Sequence, residues 1–120
     1  MENITDKSIL VKARLASTEY GREITPEQVV AVEYFAKEEG LAYRLYAEEK
    51  KHGSEQIEKN VKDIEANVKK SLFKSGNLDN KVKEYKEEIS DPVEQDFKRQ
   101  NRLQMRQERD RQIKLQMHHR

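Results

Sequence analysis

The chain has 120 residues, of which 34% are apolar and 39% charged, with two prolines, four glycines and neither cysteine nor tryptophan; ordinary globular domains run at roughly 45–50% and roughly 25%. That length suits one small domain with at most an appendage, and the composition excludes a thick core, a disulfide framework and thiolate metal sites. Apolar runs are only a few residues long, as at Ile9–Val11, so neither a membrane span nor a signal-peptide core is present, and the expected location is the cytoplasm or the equivalent compartment of a host cell.

The net charge of +1 hides an asymmetry. From Phe97 to Arg120 eight Lys and Arg residues face only Glu108 and Asp110, a surplus of six positive charges, so residues 1–96 carry −5. An acidic body with a basic tail is a layout for contact, with a polyanion or with an acidic patch on the chain itself or a neighbour. The high charge, mixed in sign, fits long solvated helices and an elongated shape.

Residues 5–20 read as a first helix. Thr5 or Asp6 can cap it, Ile9, Ala13, Ala16 and Tyr20 recur at helical spacing, Leu10, Val11 and Leu15 widen the stripe, and Gly21 ends it. The next start signal is stronger: Thr25 as N-cap, Pro26 at the first helical position, Gln28 for a capping box, and Ile24 with Val29 for a hydrophobic staple. This helix turns Val29, Val32, Phe35 and Ala36 inward and meets Gly40, which either ends it or is tolerated at a cost of about 1 kcal/mol. Helix resumes or continues over 41–51, and His52-Gly53-Ser54 is a stop and restart with Gly53 as C-terminal cap and Ser54 as N-cap.

From there a seam organises the middle of the chain. Ile57, Val61, Ile64, Val68, Leu78, Val82, Tyr85 and Ile89 hold a heptad register across a gap in which Ser71 and Ser75 occupy seam positions. Gly76-Asn77, followed by Asp79 as an available cap, favours a turn over one continuous rod. The two half-seams then pack on each other or on the N-terminal bundle; self-association as a coiled coil is the rival, weakened because Lys81 would meet Lys86 of a parallel partner. Asp91 and Pro92 start a final helix of about 27 residues, roughly 40 Å long.

That last helix is the most informative place for function. Arg99, Arg102, Arg106 and Arg109 fall within an arc of roughly 80°, while Val93, Phe97 and Leu115 lie near the opposite side. Arginine forks suit phosphates and carboxylates, and glutamines at 95, 100, 104, 107, 112 and 116 add neutral hydrogen bonds. The plainer interpretation of the same residues is a solvated, partly paired helix whose cations complement the helix dipole. Tyr34, Phe35, Tyr43 and Tyr46 with Arg44 form an aromatic cluster, expected to be core rather than a base-stacking platform.

Nothing else carries chemistry. The Asn3-Ile4-Thr5 sequon is expected to be chance, and the adjacent His118 and His119 make a poor metal site. Carboxylate pairs such as Glu38-Glu39 and Glu87-Glu88 point about 100° apart on a helix, and no nucleophile motif or glycine-rich phosphate loop is present. The sequence thus predicts an all-α protein: a small N-terminal helical bundle over 1–52, a heptad-patterned hairpin or coiled coil over 54–90, and an extended basic helix over 91–120. The expected role is a non-enzymatic interaction module of adaptor, inhibitor or scaffold type, with no cofactor, no metal, no membrane and no small-molecule substrate. Its partner is expected to be a protein or a second copy; a nucleic-acid accessory protein using the arginine face is the alternative. In composition alone, the chain resembles small adaptor and scaffold proteins of viruses and mobile elements.

Overall fold

A computed structural model describes residues 6–118, and the side chains of residues 6–112. It contains five helices: α1 (Lys7–Tyr20), α2 (Pro26–Glu49), α3 (Ser54–Ser75), α4 (Leu78–Ser90) and α5 (Pro92–His118). There is no strand among the described residues. The Asn3 sequon, Thr5, His119 and the side chains of Leu115, Gln116 and His118 lie outside the described residues.

The helix boundaries follow from capping chemistry. The Asp6 carboxylate accepts from the Ser8 amide at 2.8 Å, and Gly21, at φ 64°, lets the Arg22 amide return to the Ser17 carbonyl at 3.3 Å. At α2 both halves of the capping box are made: the Gln28 amide donates to Thr25 Oγ1 at 3.2 Å and the Thr25 amide to Gln28 Oε1 at 3.0 Å. Ile24 and Val29 are both buried in one cluster, as the staple requires. Gly40 does not end α2, which runs straight through it.

Three expected caps are replaced. Lys51, not Gly53, takes the left-handed conformation after α2, at φ 61°. The Lys51 amide returns to the Glu48 carbonyl at 3.0 Å and the His52 amide to the Ala47 carbonyl at 3.0 Å, a Schellman closure completed before the glycine is reached. Gly53 is instead the N-cap of α3, without a side-chain acceptor, and Ser54 is already helical. At the second turn Gly76, at φ 78°, ends α3 as expected, so the rod is ruled out. Asp79 does not cap α4; it lies one residue inside the helix and accepts from Gln28 Nε2 at 3.0 Å, tying α4 to the first turn of α2. Arg22 Nη2 donates to the Lys74 carbonyl at 2.9 Å, satisfying one of the carbonyls that α3 leaves open at its end. Asp91 caps α5, accepting from the Val93 and Glu94 amides at 3.0 and 3.4 Å.

Helix α2 is the axis of the bundle, and each of the other four helices packs on it. It can be covered on several sides because its buried positions are mostly small: Ala31, Ala36, Ala42 and Ala47 beside Val29, Val32, Phe35 and Tyr43. One cluster joins Ala13 and Ala16 of α1, Ile24, Val29 and Val32, Phe73 at the end of α3 and Leu78 at the start of α4. A second joins Tyr43 and Ala47 of α2 to Ile57 and Val61 of α3.

The half-seams therefore face α2 more than each other. Ile57, Val61 and Leu78 are buried, Ile64, Val68, Val82 and Tyr85 half-buried, and Ile89 is exposed while its neighbour Glu88 points inward. Of the residues that widened the first stripe, Leu10, Val11 and Leu15 stay exposed. The bundle is elongated, 50 × 33 × 27 Å, with a radius of gyration of 16.4 Å, against about 13.5 Å for a compact chain of this length.

Candidate interaction site

Helix α5 starts one residue after α4 ends, with Asp91 between them at φ −132° and ψ 103°. That break lays α5 back along α2 and α4. Neither hydrophobic cluster contains a residue of α5. It is attached instead by a polar ladder.

The ladder begins at Gln95, whose Nε2 donates to the Tyr34 hydroxyl at 3.0 Å. One turn on, Arg99 Nε donates to Glu38 Oε1 at 2.8 Å. Arg102 Nη2 donates to Glu88 Oε1 at 2.7 Å, with its Nη1 a further 3.8 Å from Glu38 Oε1. Arg106 Nη2 pairs with Glu39 Oε2 at 3.8 Å, and Gln107 Nε2 donates to Glu49 Oε2 at 3.0 Å. Aromatic faces add to the charge pairs: the Arg102 guanidinium lies 5.7 Å from the Phe35 ring centre and that of Arg106 5.4 Å from Tyr43.

At the centre of the ladder two carboxylates are buried, Glu38 at 5% exposure and Glu88 at 4%. Such charges persist inside a protein only when paired and hydrogen-bonded. The Tyr34 hydroxyl donates to Glu88 and lies 3.2 Å from Glu38, so the two acids share one phenol and two arginines. Burial, and then the hydrogen bond to Glu88, push the Tyr34 hydroxyl well above its ordinary value; the hydrogen bond from Gln95 opposes this. The hydrogen bond to Glu38 raises the already high pKa of Arg99. The ladder is not complete, because Arg102 Nη1 and Arg106 Nε are buried with no hydrogen-bond acceptor.

Of the arginines singled out from the sequence, Arg99, Arg102 and Arg106 are thus brought together and matched by carboxylates of the same chain. Arg109 is exposed and makes no ion pair with the described residues. The acidic patch that the basic tail meets is on the chain itself. The aromatic cluster divides: Phe35 and Tyr43 are buried, Tyr34 and Tyr46 line the α5 seam, and Arg44 pairs with Glu58 of α3 at 2.6 Å.

What sequence reasoning missed is the other half of the ladder. Glu38 and Glu88 read as members of solvated acidic pairs, yet each lies one helical turn from an inward-facing aromatic, Phe35 and Tyr85. The available signal was a matching period: Tyr34 and Glu38 are one turn apart, as are Gln95 and Arg99.

With its polar face turned inward, α5 turns most of its described apolar side chains out: Val93 is 78% exposed, Phe97 67% and Met105 57%, while Leu103 is half-buried. Ile89, one turn before Val93 in the chain, is also exposed. Beside the seam a cleft of about 240 Å³ opens between α2, α3, α4 and α5, over Phe35, Val68 and Leu72, with Lys81, Lys98 and five glutamates around it. Among the described residues no group of three His, Cys, Asp or Glu is placed to hold a metal ion, and no helix is long and apolar enough to cross a membrane. Compared with protein-family models, curated proteins and solved structures, the chain matches none.

Proposed function

We propose that the chain is a non-enzymatic helical interaction module that docks on a protein partner through the outer face of α5. The observation that carries this is the inverted polarity of that helix. Large apolar side chains scattered singly on a surface need no explanation, but Val93 and Phe97 stand one turn apart on a helix whose inward face is occupied by arginine and glutamine. An aromatic anchor flanked by an aliphatic neighbour and ringed by amides is the composition of a contact patch. Gln100, Gln104 and Asn101 supply the amides here, all exposed.

The test is affinity capture from the source cells with the full chain and with a Val93→Ser, Phe97→Ser variant. Both residues are exposed, so the bundle should keep its helicity. The expected result is a stoichiometric protein partner retained by the parent and lost by the variant; a partner retained equally by both, or none retained by the parent, refutes the proposal. Light scattering with and without a DNA duplex completes the test. Nucleic-acid contact through the arginine face would need Arg99, Arg102 and Arg106 to leave their carboxylates first, and a mass increase with duplex would favour that alternative over protein docking.

A further inference from the structure

We propose that α5 is a releasable strap: it leaves the α2–α4 groove, pivoting at Asp91, as a single helix that frays once it has no packing partner, while residues 6–90 stay folded. This stands apart from whether anything docks on Val93 and Phe97.

Three observations carry it. The first is what holds the helix down. Between Gln95 and Asp110 it is held mainly by hydrogen bonds and ion pairs to Tyr34, Glu38, Glu39, Glu49 and Glu88, with Arg102 and Arg106 also lying over the Phe35 and Tyr43 rings and Leu103 half-buried, and none of its described side chains is fully buried. Contacts of that kind are weakened by salt when water reaches them, whereas apolar contacts are not. Water reaches the outer rungs, where the Arg99 side chain is 43% exposed and Arg106 and Glu39 are 23% and 38% exposed, while the Arg102–Glu88 rung, at 14% and 5%, is shielded and yields last. The second is imperfect pairing. Arg102 Nη1 and Arg106 Nε lose their solvation in the docked state and gain no acceptor, so docking is opposed by two buried donors that release would hydrate.

The third is that each part carries its own source of order. The two hydrophobic clusters draw only on α1 to α4 and the α1–α2 connection, so the body keeps its core. Helix α5 keeps its own cap, because Asp91 precedes it and moves with it. At 27 residues it exceeds the length of roughly 12–15 below which isolated helices are marginal, and its glutamines, arginines and lysines are good helix formers.

Docked, the strap satisfies Glu38 and Glu88; released, it leaves two carboxylates facing one phenol. The acidic groove and the arginine face thus mask each other, and each becomes available only when the other does. Only screening or a competing charge is needed to bias that equilibrium.

Hydrogen exchange on the full chain tests this. Raising NaCl from low to molar concentration should accelerate exchange of the α5 amides by about tenfold or more while those of α2 and α3 keep their protection. An Arg99→Gln, Arg102→Gln variant should show the fast α5 exchange already at low salt. If the α5 amides are as protected as those of α2 at both salt concentrations, or if all helices accelerate together, the strap is refuted. Should the variant fail to fold, the salt series on the parent chain decides alone.

Discussion

Tyr34 stands where three helices meet, and its hydroxyl touches both buried carboxylates and Gln95 of α5. Its environment favours the neutral phenol, so the folded chain holds the proton beyond the point, near pH 10, at which an unfolded tyrosine releases it. The associated stability is therefore complete below about pH 10 and falls as pH rises toward the folded-state value. Tyr20 and Tyr46 are shifted the same way by burial, so the Tyr34 share is a difference between proteins. Tyr34→Phe is expected to be less stable than the parent at neutral pH, since Glu88 and Gln95 lose a partner, and to lose less stability between about pH 9 and 11. Urea midpoints across that range measure both effects, and parallel alkaline limbs would contradict the assignment.

At the scale of the helix, Gly40 shows how α2 and α3 come together. In an exposed helix, Gly→Ala gains about 1 kcal/mol. Here a β-carbon would sit 3.1 Å from Glu65 Oε2 and 3.2 Å from Val61 Cγ1. Glu65 can swing aside, but Val61 is buried and stiff at χ1. Gly40→Ala is accordingly expected to be no more stable than the parent, while in a Val61→Ala background it should stabilise by about 0.5–1 kcal/mol. Denaturant unfolding of the four proteins measures the coupling, and a full gain in the parent background would show that the helices are not in close approach. The left-handed Lys51 belongs to the same scale: the turn geometry is set by the length of α2, and the residue that falls at the closing position is not the one best suited to it.

For the whole molecule, Phe73 tests whether the bundle is one cooperative unit. It stacks on Tyr20 at 5.5 Å between ring centres and lies in the cluster shared by α1, α2 and α4. Phe73→Ala is expected to cost about 3–5 kcal/mol, a large part of the roughly 5–15 kcal/mol that holds a small domain. Circular dichroism and tyrosine fluorescence should report one coincident urea transition at a lower midpoint. A loss below about 1 kcal/mol, or a separate early transition of α1, would show that this cluster does not bind the bundle together.

Read from sequence alone, the all-α class and most of the helix ends are already determined, while Gly40 and Gly76-Asn77 each leave open whether one helix or two runs through. These depend on local chemistry: Thr25-Pro26 with Gln28, Asp91-Pro92, Gly21 and Gly76 act within a few residues of themselves. Heptad spacing likewise identified Ile57, Val61 and Leu78 as inward positions. Tertiary structure decided which surface each stripe meets, because periodicity gives a face and not its partner. It placed both half-seams on α2, whose alanines and Gly40 admit close neighbours, and it turned Ile89 out in favour of Glu88. It also decided the orientation of α5. A helix with arginines on one side and Val93 and Phe97 on the other can dock by either face, and the two buried carboxylates of α2 and α4, 50 residues apart in the chain, selected the charged one.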